Sequence, residues 1–304
     1  MNSNPADDGE AGPAGMQAPP PPPVGNRFRS KAVSKGESWK SSWMRGWQST
    51  SLAVLGLLFP PQCSLCRCDL SPGETTAARS LEAVLEEWFC QRCFQQLASP
   101  AQSFCRACAM PLGVGATTQL AVTPCSHCAS EKLGFAEART LGVYQNPRRE
   151  AVLKAKQLSQ ESVAHALGRL LATQIQQVPF DRIPDAIVPV PMHWQKRLTR
   201  GTNPAESIAL GVSAVLGIPC YSDWLYLTRQ VAKQGLLSPE ERRKNMRGSM
   251  AVAEGLELQG LAILIVDDVL TTGATASDVA RALKLAGAET IYACALARGT
   301  GADS

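Results

Sequence analysis

Asp267 and Asp268, followed by Val269, Leu270 and then Thr271-Thr272-Gly273-Ala274-Thr275, bring together residue types that bind opposite charges. Neighbouring carboxylates accept hydrogen bonds from hydroxyls or hold a hard divalent cation. A hydroxyl-bearing, Gly-containing turn that opens a helix presents N–H groups to an anion. A ligand using both carries hydroxyls or a metal at one end and a phosphate at the other. A ribose 5-phosphate satisfies this. Asp267 and Asp268 would take the ribose hydroxyls, and Thr271, Thr272, Gly273 and Thr275 the phosphate. A strand end with an ordinary helix N-cap would use the same residue types less fully.

The second constellation is sulfur. Of eleven cysteines, nine fall between Cys63 and Cys128, and eight of these form four C-x-x-C pairs: Cys63/Cys66, Cys90/Cys93, Cys105/Cys108 and Cys125/Cys128. Two intervening residues let one turn present both sulfurs to a tetrahedral metal, and two such turns complete its shell. The simplest pairing joins the first knuckle to the second and the third to the fourth, giving two structural zinc sites. Disulfides would need an oxidising compartment, and a redox C-x-x-C normally occurs once. Cys68, beside the first knuckle, is a spare thiol that can substitute as a ligand, whereas His127 reads as lying outside the shell.

These groups need elements to hold them. The unbroken apolar run 261–266 reads as a strand buried on both faces of a parallel sheet, so the acids arrive at its carboxyl end, where open α/β sheets place ligands. A helix over 274–285 follows. Upstream, the pattern predicts a strand over 139–144, helices over 147–158 and 161–178, a strand over 186–192, a helix over 203–216 and a strand over 219–227. Pro189 and Pro191 force the chain out of the sheet into a loop carrying Lys196, Arg197 and Arg200, which suits a diphosphate. Lys154 and Lys156 read as a solvated helix face. Between Lys196 and Arg247 there are nine Lys or Arg against four Asp or Glu, which concentrates positive charge around Arg242, Arg243 and Arg247.

The whole chain divides into three by composition. Residues 1–45 form a Pro/Gly/Ser-rich tail that cannot build a core. Residues 46–132 hold an amphipathic segment carrying Trp47, Leu52, Leu55 and Leu58, with Trp43 just ahead of it, then the cysteine knuckles with a helical insertion at 71–87. Residues 133–304 read as an α/β domain. An apolar share of 45% supports a sizeable core, the net charge of +4 neither demands nor excludes nucleic acid, and no apolar run is long enough to span a membrane.

At 261–275 the sequence resembles the phosphoribosyl-diphosphate (PRPP) binding motif of type I phosphoribosyltransferases. Over about residues 52–297 it resembles the ComF/GntX family. That resemblance rests on the four knuckles, Pro189-Val190-Pro191-Met192 with Arg200-Gly201-Thr202-Asn203, the string from Gln234 to Asn245, and Val266 to Thr275. Thr202 and Pro204 stand where the family usually has an aromatic residue and an amide, which removes a base-stacking group from the diphosphate loop. The resemblance implies a type I phosphoribosyltransferase fold, a parallel sheet flanked by helices, preceded by a double zinc ribbon. It implies binding of PRPP with Mg²⁺ through Asp267, Asp268, Thr271, Thr272, Gly273, Ala274, Thr275, Lys196 and Arg197, with Asp267, Asp268 and Arg200 as the catalytic set. It further implies a cytoplasmic protein of DNA uptake and natural competence, with single-stranded DNA and uptake-machinery proteins as partners. The acceptor stays open, as do two alternatives: a non-catalytic single-stranded nucleic-acid-binding protein using Arg242, Arg243 and Arg247, and a purine-salvage enzyme.

Overall fold

The computed structural model describes residues 62–70, 88–98, 103–112, 125–129, 133–192, 201–229, 241 and 247–300. The expected tail, amphipathic segment and 71–87 insertion lie outside these residues. The described residues belong to one compact unit, Val54–Ser304. Its elements in chain order are α1 (Gln91–Ala98), β1 (Glu137–Thr140), α2 (Arg148–Ala155), α3 (Glu161–Gln177), β2 (Ala186–Pro189), α4 (Pro204–Leu216), β3 (Leu225–Leu227), β4 (Met250–Val252), β5 (Ala262–Leu270), α5 (Ala274–Leu285) and β6 (Thr290–Arg298). The main sheet is parallel with strand order β1-β6-β5-β2, and β3 and β4 form a separate antiparallel pair.

The apolar run predicted as a doubly buried strand lies in β5, which continues to Leu270 because β6 still pairs with it there, so Asp267 and Asp268 fall within the strand and not at its end. Ala262, Ile263, Leu264, Ile265 and Val266 are all buried, and alternation sends them to two cores. Ala262, Leu264 and Val266 pack with Leu167, Leu170 and Leu171 of α3. Ile263 and Ile265 pack with Val279 and Leu283 of α5 on the opposite face. A strand sandwiched this way has its register fixed, because a one-residue slip would exchange its two faces.

Helices α3 and α4 cross at paired glycines. A Cβ at Gly168 would lie 2.1 Å from the Ile208 carbonyl oxygen, and one at Gly211 would lie 2.1 Å from that of His165. The backbones meet without intervening side chains, which draws both helices tightly over one face of the sheet.

Boundaries differ from expectation where a turn or proline intervenes. The predicted strand at 139–144 overlaps β1, which starts two residues earlier and ends at Thr140, short of the turn at Gly142. The predicted strand at 219–227 shortens to β3, with Cys220 forming an isolated bridge to Ile187 of β2. Pro147 stands at the N-cap of α2 and Asn203 caps α4. Among the described residues no helix is long and apolar enough to cross a membrane.

Candidate functional site

Strand β2 accompanies β5 only as far as Val266, with Pro189 opposite it and the Val190 N–H donating to the Val266 carbonyl at 2.8 Å. Prolines 189 and 191 then end the pairing, so Asp267 and Asp268 emerge where one edge of β5 is released. Both are half-buried, and the Asp268 N–H donates to Asp267 Oδ1 at 2.8 Å. Burial, with Asp268 adding like charge, pushes the Asp267 carboxyl up to about 7.

Lys156, at the C-cap of α2, places its ammonium 3.0 Å from Asp268 Oδ1. It is therefore part of the acid pair's surroundings and not of a solvated helix face. Lys154 likewise turns inward, donating to the Leu65 carbonyl within the first cysteine knuckle. Pattern alone missed both residues, because α2 is a short helix with cations on two sides and no strong apolar stripe to orient it.

After Leu270 the chain turns through Thr271, Thr272 and Gly273 into α5. Gly273 has φ 75°, a left-handed conformation that favours glycine, and its carbonyl accepts the Ser277 N–H at 2.8 Å. Thr272 Oγ1 accepts the Ala274 N–H at 3.3 Å. Ala274 and Thr275 begin the helix, so the five residues expected to form an anion loop are brought together at its N-terminus.

Lys196, Arg197 and Arg200 lie outside the described residues, but the ends of their loop are held. Asn203 donates from Nδ2 to the Val190 carbonyl at 2.9 Å and accepts the Ala205 N–H at 3.2 Å. It joins the end of β2 to the start of α4, which gives a structural reason for asparagine in the Arg-Gly-x-Asn string. Arg242 and Arg243 also lie outside the described residues. Arg247 is exposed in a turn, its carbonyl accepting from Arg229 at 3.2 Å. The root of that segment is fixed by buried Asp278 of α5, which accepts the N–H groups of Gly248, Ser249 and Met250 at 2.9, 3.0 and 3.2 Å.

The cysteines gather into two groups whose ligand atoms all lie within 4.8 Å of one another: Cys63, Cys66, Cys68 and Cys90, and Cys105, Cys108, Cys125 and Cys128. A tetrahedral thiolate site with metal–sulfur bonds of about 2.3 Å places its sulfurs about 3.8 Å apart. The second group matches, with Cys105–Cys128 at 3.8 Å, Cys108–Cys125 at 3.6 Å and Cys125–Cys128 at 3.8 Å. This pairs the third knuckle with the fourth. In the first group Cys66 and Cys90 are 3.6 Å apart, but Cys68 takes the place expected for Cys93. Arg67, at φ 59°, swings Cys68 back until its sulfur is 3.3 Å from that of Cys66. Cys93, in the first turn of α1, has its thiol against Cys90, Cys66 and Cys63.

The two groups share a local design. The Cys63 N–H donates to the Cys68 carbonyl, the Cys105 N–H donates to the Met110 carbonyl, both at 2.8 Å, and Ala109 repeats the positive φ of Arg67 at 58°. Met110 thus sits where the first knuckle has Cys68. Backbone groups also favour thiolate: the Cys68 backbone brings the Cys66 thiol down to about 6. Burial opposes ionisation of Cys125, but backbone hydrogen bonds from Cys128 and His127 bring it down to about 7. Sulfur spacing and backbone donors both fit a four-coordinate soft cation such as zinc.

The sheet order, the acid pair where β5 runs on past β2, and the loop beyond it define a phosphoribosyltransferase-type domain, and residues 155–303 match the phosphoribosyl transferase domain family. The DNA utilization protein YhgH of Escherichia coli (strain K12) is 28% identical over 247 residues, covering 80% of this chain and 99% of that protein. Competence protein F of Haemophilus influenzae is 26% identical over 220 residues, covering 71% and 92%. With the two cysteine groups ahead of the domain, the chain is similar to these proteins over most of its length. Among solved structures, the purine phosphoribosyltransferase from Pyrococcus horikoshii Ot3 is 20% identical, covering 45% of this chain and 74% of that one, with a TM-score of 0.29. A superposition of that extent adds nothing to the sequence match.

Proposed function

We propose that this protein binds PRPP with Mg²⁺ at the carboxyl end of β5 and acts in the cytoplasm in the handling of incoming single-stranded DNA. The observation that carries the ligand assignment is the half-buried acid pair followed directly by the Gly273 turn and the N-terminus of α5. Asp267 and Asp268 orient the ribose through its hydroxyls. Thr271, Thr272, Gly273, Ala274 and Thr275 hold the 5-phosphate with backbone and hydroxyl donors. Lys196, Arg197 and Arg200 receive the diphosphate, and Mg²⁺, when bound, offsets its charge as it leaves ribose C1. Oxygen donors of the acid pair suit that cation. Asp267, Asp268 and Arg200 form the catalytic set when an acceptor attacks ribose C1 and diphosphate leaves. The two cysteine groups hold structural zinc, and the division into a ribbon module to residue 132 and a transferase domain from 133 belongs to the same reading.

The DNA role is supported by the names of the relatives and by the concentration of positive charge between Lys196 and Arg247. Phosphate contacts by Arg242, Arg243 and Arg247 would make binding strongly salt-dependent. Fluorescence anisotropy of a labelled single-stranded oligonucleotide tests this. The affinity should fall steeply with salt, drop when those three arginines are changed to glutamine, and change when PRPP and Mg²⁺ are added. Salt-insensitive or absent DNA binding would count against this role. Turnover of a free purine base would favour salvage instead.

A further inference from the structure

Arg298, the last residue of β6, is buried although it is a permanent cation. Its guanidinium divides its donors between two places. Nε donates to the Cys108 carbonyl at 2.8 Å, and Nη2 lies 3.2 Å from His127 Nε2, so one side of the fork holds both knuckles of the second cysteine group. Nη1 donates to the Leu270 carbonyl at 2.8 Å, to that of Gly299 at 2.7 Å and to that of Thr271, which lies at the start of the anion loop. Burial opposes its charge, and the nearest groups that would favour it, once ionised, are the sulfurs of Cys108, Cys125 and Cys128.

The peptide bond makes this arrangement directional. In a trans peptide the N–H points opposite to the preceding C=O. By drawing the Leu270 and Thr271 carbonyls toward itself, Arg298 aims the N–H groups of Thr271 and Thr272 to the other side. Those are the first two backbone donors of the anion loop. A divalent metal held by four thiolates carries a net negative charge, which Arg298 is placed to balance.

We propose that Arg298 is a positioning residue that couples metal occupancy of the Cys105/Cys108/Cys125/Cys128 group to the aim of the Thr271–Thr275 phosphate loop. With metal bound, the Cys108 carbonyl and His127 are fixed, and the guanidinium is held where it pins both loop carbonyls. Without metal, the knuckles lose their common centre and Arg298 loses the two partners they supply, the Cys108 carbonyl and His127. Coupling of this kind is reciprocal, so a ligand in the loop retains the metal as the metal retains the ligand. The loop half of the inference rests on the PRPP assignment above.

The test follows zinc release from the full-length, zinc-loaded protein to a chromogenic chelator, with and without PRPP in excess Mg²⁺, alongside calorimetry with PRPP. In the wild type, PRPP should slow the release of one zinc equivalent by about 5-fold or more. Arg298→Met should speed that release by about 10- to 100-fold, the usual effect of removing a group that orients metal ligands, and release should no longer respond to PRPP. Arg298→Lys, which keeps the charge but loses the fork, should also lose the response; circular dichroism checks that both variants fold. If PRPP binds the wild type but zinc release ignores it, the coupling is overturned while the ligand assignment stands. If PRPP gives no heat, the ligand assignment falls and the coupling to it falls as well. Unchanged release from Arg298→Met would independently remove its role at the cysteine group.

Discussion

Asp267 is the residue whose chemistry depends most on where the fold puts it. Burial and the neighbouring Asp268 raise its carboxyl from 3.8 to about 7, while Lys156 works in the opposite direction. Its proton is therefore bound more tightly in the folded chain than in the unfolded one. The stabilisation from this group is complete at pH below the unfolded value and is lost as pH rises through about 7. Melting temperatures of the wild type should fall across that window relative to Asp267→Asn. Ligand binding runs the other way, because a ribose hydroxyl is held best by the carboxylate. PRPP affinity should increase as pH passes through about 7 and then level off, and Lys156→Met should move that rise to higher pH. A flat profile in both proteins would contradict a raised Asp267 carboxyl that holds the ligand.

At the level of elements, the site depends on strands that end at the right residue and helices that lie close behind them. Gly211 is a sharp test of the second requirement. An added methyl would meet the His165 carbonyl oxygen at 2.1 Å, so α3 and α4 must separate. Gly211→Ala should cost about 1–3 kcal/mol, read from the denaturant midpoint with the m-value unchanged. A midpoint within error of the wild type would show that the helices are free to move apart. The legibility of these elements followed their burial. β5 and α5 could be read directly because an uninterrupted apolar run and a small-residue turn have one common structural outcome. β6 went unread because Thr290 to Arg298 mixes small residues with a terminal cation, and its burial comes from lying between β1 and β5. The first cysteine group was only partly legible: C-x-x-C spacing identifies knuckles, but the left-handed turn at Arg67 that returns Cys68 is a backbone event with no spacing signal.

For the whole molecule, the cysteine groups and the α/β domain are joined by specific buried chemistry. Glu137 of β1 is buried and accepts from Arg106 of the third knuckle at 2.9 Å and from Arg139 at 2.7 Å. Arg139 lies over the Phe180 ring, 4.7 Å from its centroid, and Phe180 stacks on Tyr292. On the other side, the first group shares a core with α2 and α3 through Cys63, Phe89 and Leu97. Through such joints a metal held by either group would contribute to the domain's stability as well as to its own knuckles. Metal analysis of reduced protein should find about two zinc per chain, and chelation should lower the melting temperature of the whole transition. A value near zero in folded protein would remove zinc from the account. Isothermal titration with PRPP and Mg²⁺ reports on the ribose-phosphate site itself. The wild type should bind with measurable heat, and Asp267→Asn/Asp268→Asn should bind none while keeping its circular dichroism spectrum. Equal affinity in the two proteins would contradict the assignment.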